Sequence, residues 1–384
     1  MTGKLLKLLA INLAVFVLVL ACAEGFLRVA MHAPRGIFMG WFPSRLGLYS
    51  ESMDLPMYGV VDWLVKSNEW GFRGGDLALR KADGVTRIAM IGDSITDGFY
   101  VENENTYPSF VQRKLTEHGA KVETINAACG GASIDRELAI FRDAVTRFRP
   151  DIVVLTFVSN DVHVLAKISD DMLLHQPANQ SDLNHRIGRI LFAHTAVGEL
   201  VLDQVLRHIS ADYAKNQDAP KRQPNLDPLR YNIDGGNHFA DNASLFMKRY
   251  AKDDAQILTD NLSPEISTQL QRYLLAWDAF MDHAAANRIK PVFVYFPAYP
   301  QVYDLSVSMK VRDILRDHSE QHHVPFLDLT PVLRAQGETV LHLAPKDFHL
   351  NPTGNQVIGT ALAGFLLENN LLESGPVKTA ASSK

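Results

Sequence analysis

Cysteine is scarce: the 384 residues hold two, Cys22 inside an apolar N-terminal run and Cys129 far along the chain, so neither a disulfide framework nor a Cys-rich metal site is available. Basic blocks are missing as well. With a formal charge of −5, no zinc-finger spacing and no Gly-Lys-Ser/Thr phosphate loop, the chain lacks the electrostatic footprint of a nucleic-acid binder. The 14 histidines contain no His-Glu-x-x-His, and the adjacent His322 and His323 do not face one ion from a regular helix. No metal is therefore expected. Internal repeats are absent, and the one biased stretch is a polar tail over 373–384 that reads as disordered.

Long apolar runs are missing too, with one exception. The N-terminus, MTGKLLKLLAINLAVFVLVLACAEGFLR, places Lys4 and Lys7 ahead of an apolar stretch that reaches about Ala23 and is broken only by Asn12. That is the charge-then-apolar order of an export signal. Ala21-Cys22-Ala23 resembles a cleavage site, Val19 to Cys22 is a weak lipobox, and the uncleaved segment is nearly long enough to span a bilayer. Because Phe26, Leu27 and Val29 continue the apolar character, residues 1–24 are read as a signal anchor in preference to a cleaved signal peptide. The membrane is then a partner through this segment, and the rest of the chain lies on the extracytoplasmic side, periplasmic or cell-surface. Residues 25–84, with aromatics, Gly and Pro at irregular spacing, read as an extended membrane-proximal segment.

From Thr86 the pattern is regular. TRIAMIGDS is a short apolar run ending in turn residues, YPSFVQRKLTEHG has helical spacing of Phe110, Val111 and Leu115, and KVETINAA is strand-like again. SIDRELAIFRDAVTRFRP carries Leu138, Phe141, Ala144, Val145 and Phe148 on one stripe, and DIVVLTFVSND is a continuous β-branched run. The alternation predicts a parallel α/β sheet, in which strands buried on both faces are apolar throughout. It resumes with a helix opened by Ser263 as N-cap and Pro264, feeding PVFVYFP, and a helix near Ser308 to His318 feeding PFLDLT. Between the two blocks of alternation, about 162–260 form an insertion too long for a simple connection, read as a helical cap or substrate-facing subdomain.

In a parallel α/β sheet, sites form at the carboxyl ends of strands. Here those ends carry Asp93-Ser94, the loop NAACGGAS and Ser159-Asn160-Asp161, and the region after the last strand holds KDFHLNPTGN. A serine in a strand-to-helix turn presents its hydroxyl beside backbone N–H groups that lack intrahelical partners. It needs a base. His349 is the candidate, with Asp347 two residues earlier to orient the ring. Donors for a developing oxyanion are the Ser94 N–H, a glycine N–H from the Cys-Gly-Gly loop and the Asn160 side-chain amide. Taken singly, each residue has an ordinary structural explanation as a helix cap, a turn or a surface histidine; their order at successive strand ends is the signal. Cys129 beside the loop reads as a small buried side chain, and the glycosylation-like triplet at Asn242 as chance.

These blocks resemble the SGNH (GDSL-type) hydrolase family. GDSITDG, Gly92 to Gly98, matches the first block and implies Ser94 as nucleophile and oxyanion donor. NAACGGAS resembles the second, with Gly131 the better match to the oxyanion glycine and Gly130 the alternative. SND resembles the third, giving Asn160 the side-chain oxyanion role, and DFHLN the last, with His349 as base and Asp347 as its partner. Val158 stands where the family often has glycine, Asp347 and His349 are one residue closer than in the common Asp-x-x-His form, and Thr96 breaks the Gly-x-Ser-x-Gly elbow of α/β-hydrolases. The resemblance implies a flavodoxin-like three-layer sandwich of about five parallel strands over 85–372. It implies a serine hydrolase acting on an ester or thioester without cofactor; the expected export of the chain, not the resemblance, points to an O-acylated envelope glycan as substrate, with a lipid or an acylated small molecule as the alternatives. Two other readings are an O-acyltransferase using the same Ser/His site and a non-catalytic glycan-binding protein on the same scaffold.

Overall fold

A computed structural model describes residues 2–29, 48–49, 54–57, 59–163, 165, 195–209, 223–233 and 238–372. The tail over 373–384 and much of the expected insertion, 166–194 and 210–222, lie outside these residues. The chain divides into two compact units, one of residues 1–45 and 177–223, the other of residues 46–176 and 224–384.

The larger unit is built on a five-stranded sheet. Its strands are β3 (Thr86–Ile91), β4 (Val122–Asn126), β5 (Ile152–Phe157), β6 (Lys290–Tyr295) and β7 (Phe326–Asp328), all parallel, in the order β4-β3-β5-β6-β7. This is the flavodoxin-like order, in which the chain reverses direction across the sheet between the first and third strands and opens a crevice at their carboxyl ends. Each of the six residues of β5 is buried, and alternate residues feed opposite faces. Ala89, Ile91, Val153, Leu155 and Phe293 pack on one side with Leu138, Tyr273, Trp277 and Phe280. Ile88, Met90, Val154, Val292 and Val294 pack on the other with Tyr107, Val111, Leu115, Ile358 and Leu362. The parallel α/β sheet expected from the apolar strand runs, and the flavodoxin-like sandwich of about five strands that the resemblance implied, are thus the ones observed.

Helices are present in the four segments where the sequence pattern placed them, those opening at Tyr107, Ile134, Pro264 and Lys310. After β3 come α2 (Ser94–Asp97) and α3 (Tyr107–Glu117), and after β4 comes α4 (Ile134–Ile140). The short α5 (Asn160–His163) leaves β5. Further on are α7 (Phe239–Arg249), α8 (Pro264–Ala286), α9 (Tyr299–Tyr303), α10 (Lys310–Gln321), α11 (Thr330–Arg334) and α12 (Pro352–Glu368). Ser263 caps α8 by accepting the Ile266 N–H at 3.1 Å, and Asn351 caps α12 by accepting the Gly354 N–H at 2.9 Å. At Gly359 a Cβ would come within 2.5 Å of the Phe110 Cβ, so α12 lies on α3 only because that residue has no side chain.

Of residues 25–84, read from the sequence as an extended membrane-proximal segment, 48–49, 54–57 and 59–84 are described. The described part carries a hairpin of β1 (Asp54–Met57) and β2 (Trp63–Lys66), and Trp63, Val65, Phe72 and Leu77 are buried in the same unit as the sheet. Arg73 forms an isolated antiparallel bridge with Asn126 at the end of β4. Phe72, Arg73 and Leu77 lie in loops and β2 has only four residues, too short a run for its alternation to stand out in the sequence.

The smaller unit contains α1 (Thr2–Val29) and, from within the expected insertion, α6 (Ala196–Ile209). The Glu24 carboxylate accepts the Ala196 and Val197 N–H groups at 2.9 and 3.0 Å, a negative charge at the positive end of α6. The span Lys7–Leu27 is long and apolar enough to cross a membrane, with a mean hydropathy of 2.3, and none of it is buried. Of the described residues in the expected insertion, α6 falls in the unit that contains α1 and α7 in the unit that contains the sheet.

Candidate active site

The sheet delivers Asp93 and Ser94 at the end of β3, and Ser159 and Asn160 at the end of β5, on either side of the crevice. Asp93 caps α2: its carboxylate accepts the Ile95 N–H at 2.8 Å and its carbonyl the Asp97 N–H at 2.9 Å. The turn closes on Gly98, whose φ of 87° is left-handed and where a Cβ would come within 2.6 Å of the Thr106 methyl. A glycine four residues past the serine is what lets the chain leave α2 this sharply.

His349 arrives from the other end of the chain. A short backbone ladder holds it, with Leu343 N–H donating to the His349 carbonyl at 3.0 Å and Asn351 N–H to the Leu341 carbonyl at 2.9 Å. Its Nε2 lies 2.8 Å from Ser94 Oγ, and its Nδ1 lies 2.5 Å from Asp347 Oδ1. The short Asp-x-His spacing adds a second tie, because the same carboxylate oxygen accepts the His349 backbone N–H at 2.9 Å. Burial works to raise the Asp347 carboxyl, but the His349 hydrogen bond and charge, that N–H and the Tyr100 hydroxyl together hold it below its ordinary value. The carboxylate is accordingly ionised, with Nδ1–H donating to it and Nε2 left to accept.

Two residues that the sequence did not single out hold the imidazole. Phe99 stacks on it, centroids 5.5 Å apart and planes 19° apart, and Tyr100 meets it edge-on at 5.4 Å while its hydroxyl donates to Asp347 Oδ2 at 3.1 Å. Both follow directly on Gly98, and their position next to the first block was the only available signal.

Asn160 donates one amide hydrogen to Asp93 Oδ2 at 3.2 Å, which fixes the plane of the group and leaves its second N–H to point elsewhere. Burial raises the Asp93 carboxyl, an effect opposed by the Ile95 N–H, His349, Asn160 and Ser94. Gly131 has φ 70° with open space around it, whereas a Cβ on Gly130 would come within 2.4 Å of the Phe99 ring. Cys129 is buried, and burial pushes its thiol up. Asn242 is buried as well, its amide 3.4 Å from the Tyr299 hydroxyl.

Ser94, Asn160, Asp347 and His349 line one cavity of about 210 Å³. Its remaining walls include Val158, Phe246, Tyr250, Phe296, Tyr299 and Asp254, and the glycine pair is not part of the lining. Val158, which stands where the resemblance expects glycine, is among the lining residues. Burial, aided by Asp253 and Asp93, pushes the Asp254 carboxyl up to about 6. His342 nearby is held neutral, pushed down to about 3 by burial and by His349. The set can do acyl-transfer chemistry: a hydroxyl in contact with a base, an ionised carboxylate orienting that base, and an amide donor across a largely apolar cavity.

The chain matches the model of the GDSL-like lipase/acylhydrolase family over residues 90–357, well over half its length. It is 29% identical over 75 residues to an arylesterase of Vibrio mimicus, a stretch covering 20% of this chain and 38% of that protein. Among solved structures it is similar to a lipolytic protein of the G-D-S-L family from Desulfitobacterium hafniense, at 12% identity and a TM-score of 0.39 over 73% of this chain and 99% of that one. It is also similar to a lipase/acylhydrolase from Enterococcus faecalis, at 13% identity and a TM-score of 0.40 over 74% and 96%. The extent of the family match, spanning β3 to α12 and every residue of the Ser94 and His349 cluster, makes this chain a member of the GDSL-like lipase/acylhydrolase family.

Proposed function

We propose that the chain is a serine esterase working through an acyl-enzyme. Ser94 Oγ attacks the ester carbonyl carbon while His349 Nε2 takes its proton; the tetrahedral oxyanion is held by the Ser94 N–H and the second N–H of Asn160, with the Gly131 N–H, outside the cavity lining, as the third donor that the family resemblance implies. The intermediate collapses with the His349 proton passing to the departing alcohol, and water activated by the same imidazole then releases the acid from Ser94. Asp347 holds the ring in the accepting tautomer. The observation that carries this reading is the 2.8 Å contact between His349 Nε2 and Ser94 Oγ, with Asp347 at 2.5 Å on the opposite nitrogen.

The acyl group is short. A cavity of about 210 Å³ is below the 300–1,000 Å³ typical of sites for drug-sized ligands, and its walls are mainly aromatic and aliphatic. The apolar span near the N-terminus favours an extracytoplasmic setting, and with it an O-acylated envelope glycan as the alcohol side of the substrate.

A fluorophosphonate probe followed by peptide mapping tests the nucleophile, and a series of aryl esters of rising acyl length tests the pocket. The label is expected on Ser94. Hydrolysis should fall steeply beyond the shortest chains, and Ser94→Ala should lower kcat/KM by about 10³-fold or more. Labelling elsewhere, or equal rates with the variant, would remove the serine mechanism. Free acid appearing at the rate of alcohol release separates hydrolysis from O-acyl transfer, in which acyl accumulates on an added acceptor glycan instead.

A further inference from the structure

His318 and His322 are four residues apart at the end of α10 and project from one face, a turn apart, with ring centroids 4.5 Å from each other. Asp278, on α8, faces both. Its Oδ1 lies 2.7 Å from His318 Nε2 and 3.5 Å from His322 Nε2, and one donor atom from each of the three residues falls within 4.8 Å of the others. A hydrogen-bonded pair tying α8 to α10 needs only His318. The second imidazole, converging on the same carboxylate oxygen, is what that explanation leaves over.

We propose that Asp278, His318 and His322 form a binding site for a borderline transition-metal dication, Zn²⁺ in the first instance. Three ligands at about 2.0–2.2 Å around a tetrahedral ion stand about 3.3 Å from one another, and the two distances to Asp278 Oδ1 bracket that spacing. Two imidazole nitrogens and one carboxylate favour zinc, nickel or copper over magnesium or calcium, which take oxygen. The side chains are open to solvent to different degrees, 15% for His318, 41% for Asp278 and 43% for His322, so an ion has a path in and water can fill the fourth position. The adjacent His323 takes no part: its φ of 56° ends the helical geometry that brings the other two together. Bound metal clips α8 to α10 over β6, where Trp277 stacks on Phe293 at 3.9 Å and meets the His318 ring at 5.2 Å.

The test is a Zn²⁺ titration of the full-length chain in detergent by calorimetry, in a non-chelating buffer, with thermal unfolding read alongside. One equivalent is expected to bind and to raise the unfolding midpoint. In His322→Ala and Asp278→Asn, affinity should drop by more than the roughly 10–100-fold that even outer-shell partners cost, and the shift in midpoint should vanish. In a parallel titration with Ni²⁺, Trp277 fluorescence should be quenched in the wild type and unquenched in His322→Ala. Binding that survives both substitutions, or no saturable binding by the wild type, would overturn the site. Ester hydrolysis plays no part in any of these readouts, so the result stands apart from the fate of the esterase reading.

Discussion

At the scale of single residues, the imidazole of His349 depends on Tyr100 through Asp347. The Tyr100 hydroxyl helps keep that carboxylate ionised. Its loss in Tyr100→Phe raises the Asp347 pKa, and since the ionised form is the one that orients the ring, the acid limb of the kcat/KM profile moves to higher pH. The expected cost at neutral pH is about tenfold, equivalent to about 1.4 kcal/mol. Asp347→Asn should cost far more, about 10³–10⁴-fold, because the neutral amide no longer selects the accepting tautomer. A pH profile of Tyr100→Phe with an unmoved acid limb would place the tyrosine outside this chain of influence.

Glu137 poses a different single-residue problem. It is fully buried on α4, neither carboxylate oxygen has a hydrogen-bond partner, and the Asp161 Oδ1 and Tyr273 hydroxyl are likewise unpartnered among the described residues. Burial first, then the like charges of Asp93 and Asp135, raise the Glu137 carboxyl well above its ordinary value; burial and Glu137 do the same to Asp161. The sign follows. The unfolded chain releases these protons near the ordinary carboxylate pKa while the folded chain retains them, so the folded state is favoured at low pH and loses stability as pH rises through the raised values. Glu137→Gln has no proton to lose. Its stability relative to wild type should improve between pH 5 and pH 8 by about 1.4 kcal/mol for each unit of displaced pKa within that window, measured by urea unfolding at both pH values. Parallel curves for the two proteins would mean that Glu137 titrates normally.

At the scale of elements, the segment ahead of the sheet reaches the site through Arg73. Its buried guanidinium donates to the carbonyls of Asp97, Gly98 and Val101, the first two at 2.8 and 2.7 Å, and to Asn103 Oδ1 at 3.0 Å. That is the loop carrying Phe99 and Tyr100 against His349. Arg73→Ala strands several buried carbonyls, at a cost of about 3 kcal/mol or more. It should also lower kcat more than it raises KM, while Arg73→Lys, with charge but no planar fork, recovers stability only in part. Loss of stability with kcat intact would confine Arg73 to folding.

The same comparison explains what was legible. The strands and the cap at Ser263 stood out because period, branching and cap chemistry are local signals, whereas the Asn351 cap was not read from the sequence. Ser94 and Asn160 stood out as turn residues at strand ends, and Asp347 and His349 as an acid–base pair two residues apart in the region after the last strand. Arg73, Phe99 and Tyr100 act by loop contacts that have no period, and the approach of Asp278 to His318 joins two helices across a strand. Such pairs become visible only once the sheet order has brought α8 beside α10.

At the scale of the whole molecule, the decisive question is what α1 does. The 21 residues of Lys7–Leu27 rise about 30 Å as a helix, the thickness of a bilayer's hydrocarbon core. Leu8, Leu9, Ile11, Leu13, Val15, Phe16, Val17, Leu18 and Val19 are each more than half exposed, an apolar surface that water does not tolerate over this length. We predict that the full chain sediments with membranes, resists extraction by carbonate and enters solution with detergent. A variant lacking residues 2–22 keeps Glu24, and with it the carboxylate that caps α6. It also leaves untouched every residue from β1 to α12. It should therefore be released without detergent while hydrolysing soluble aryl esters at a rate within about twofold of wild type, since surface changes away from the core move stability little. Esters embedded in vesicles or attached to envelope material distinguish attachment from a passive tether: if α1 serves to hold the cavity at a surface, the truncated chain loses activity on those substrates alone. Equal loss on soluble esters would instead make α1 part of the folded enzyme, and full extraction of the intact chain by carbonate would remove the anchor.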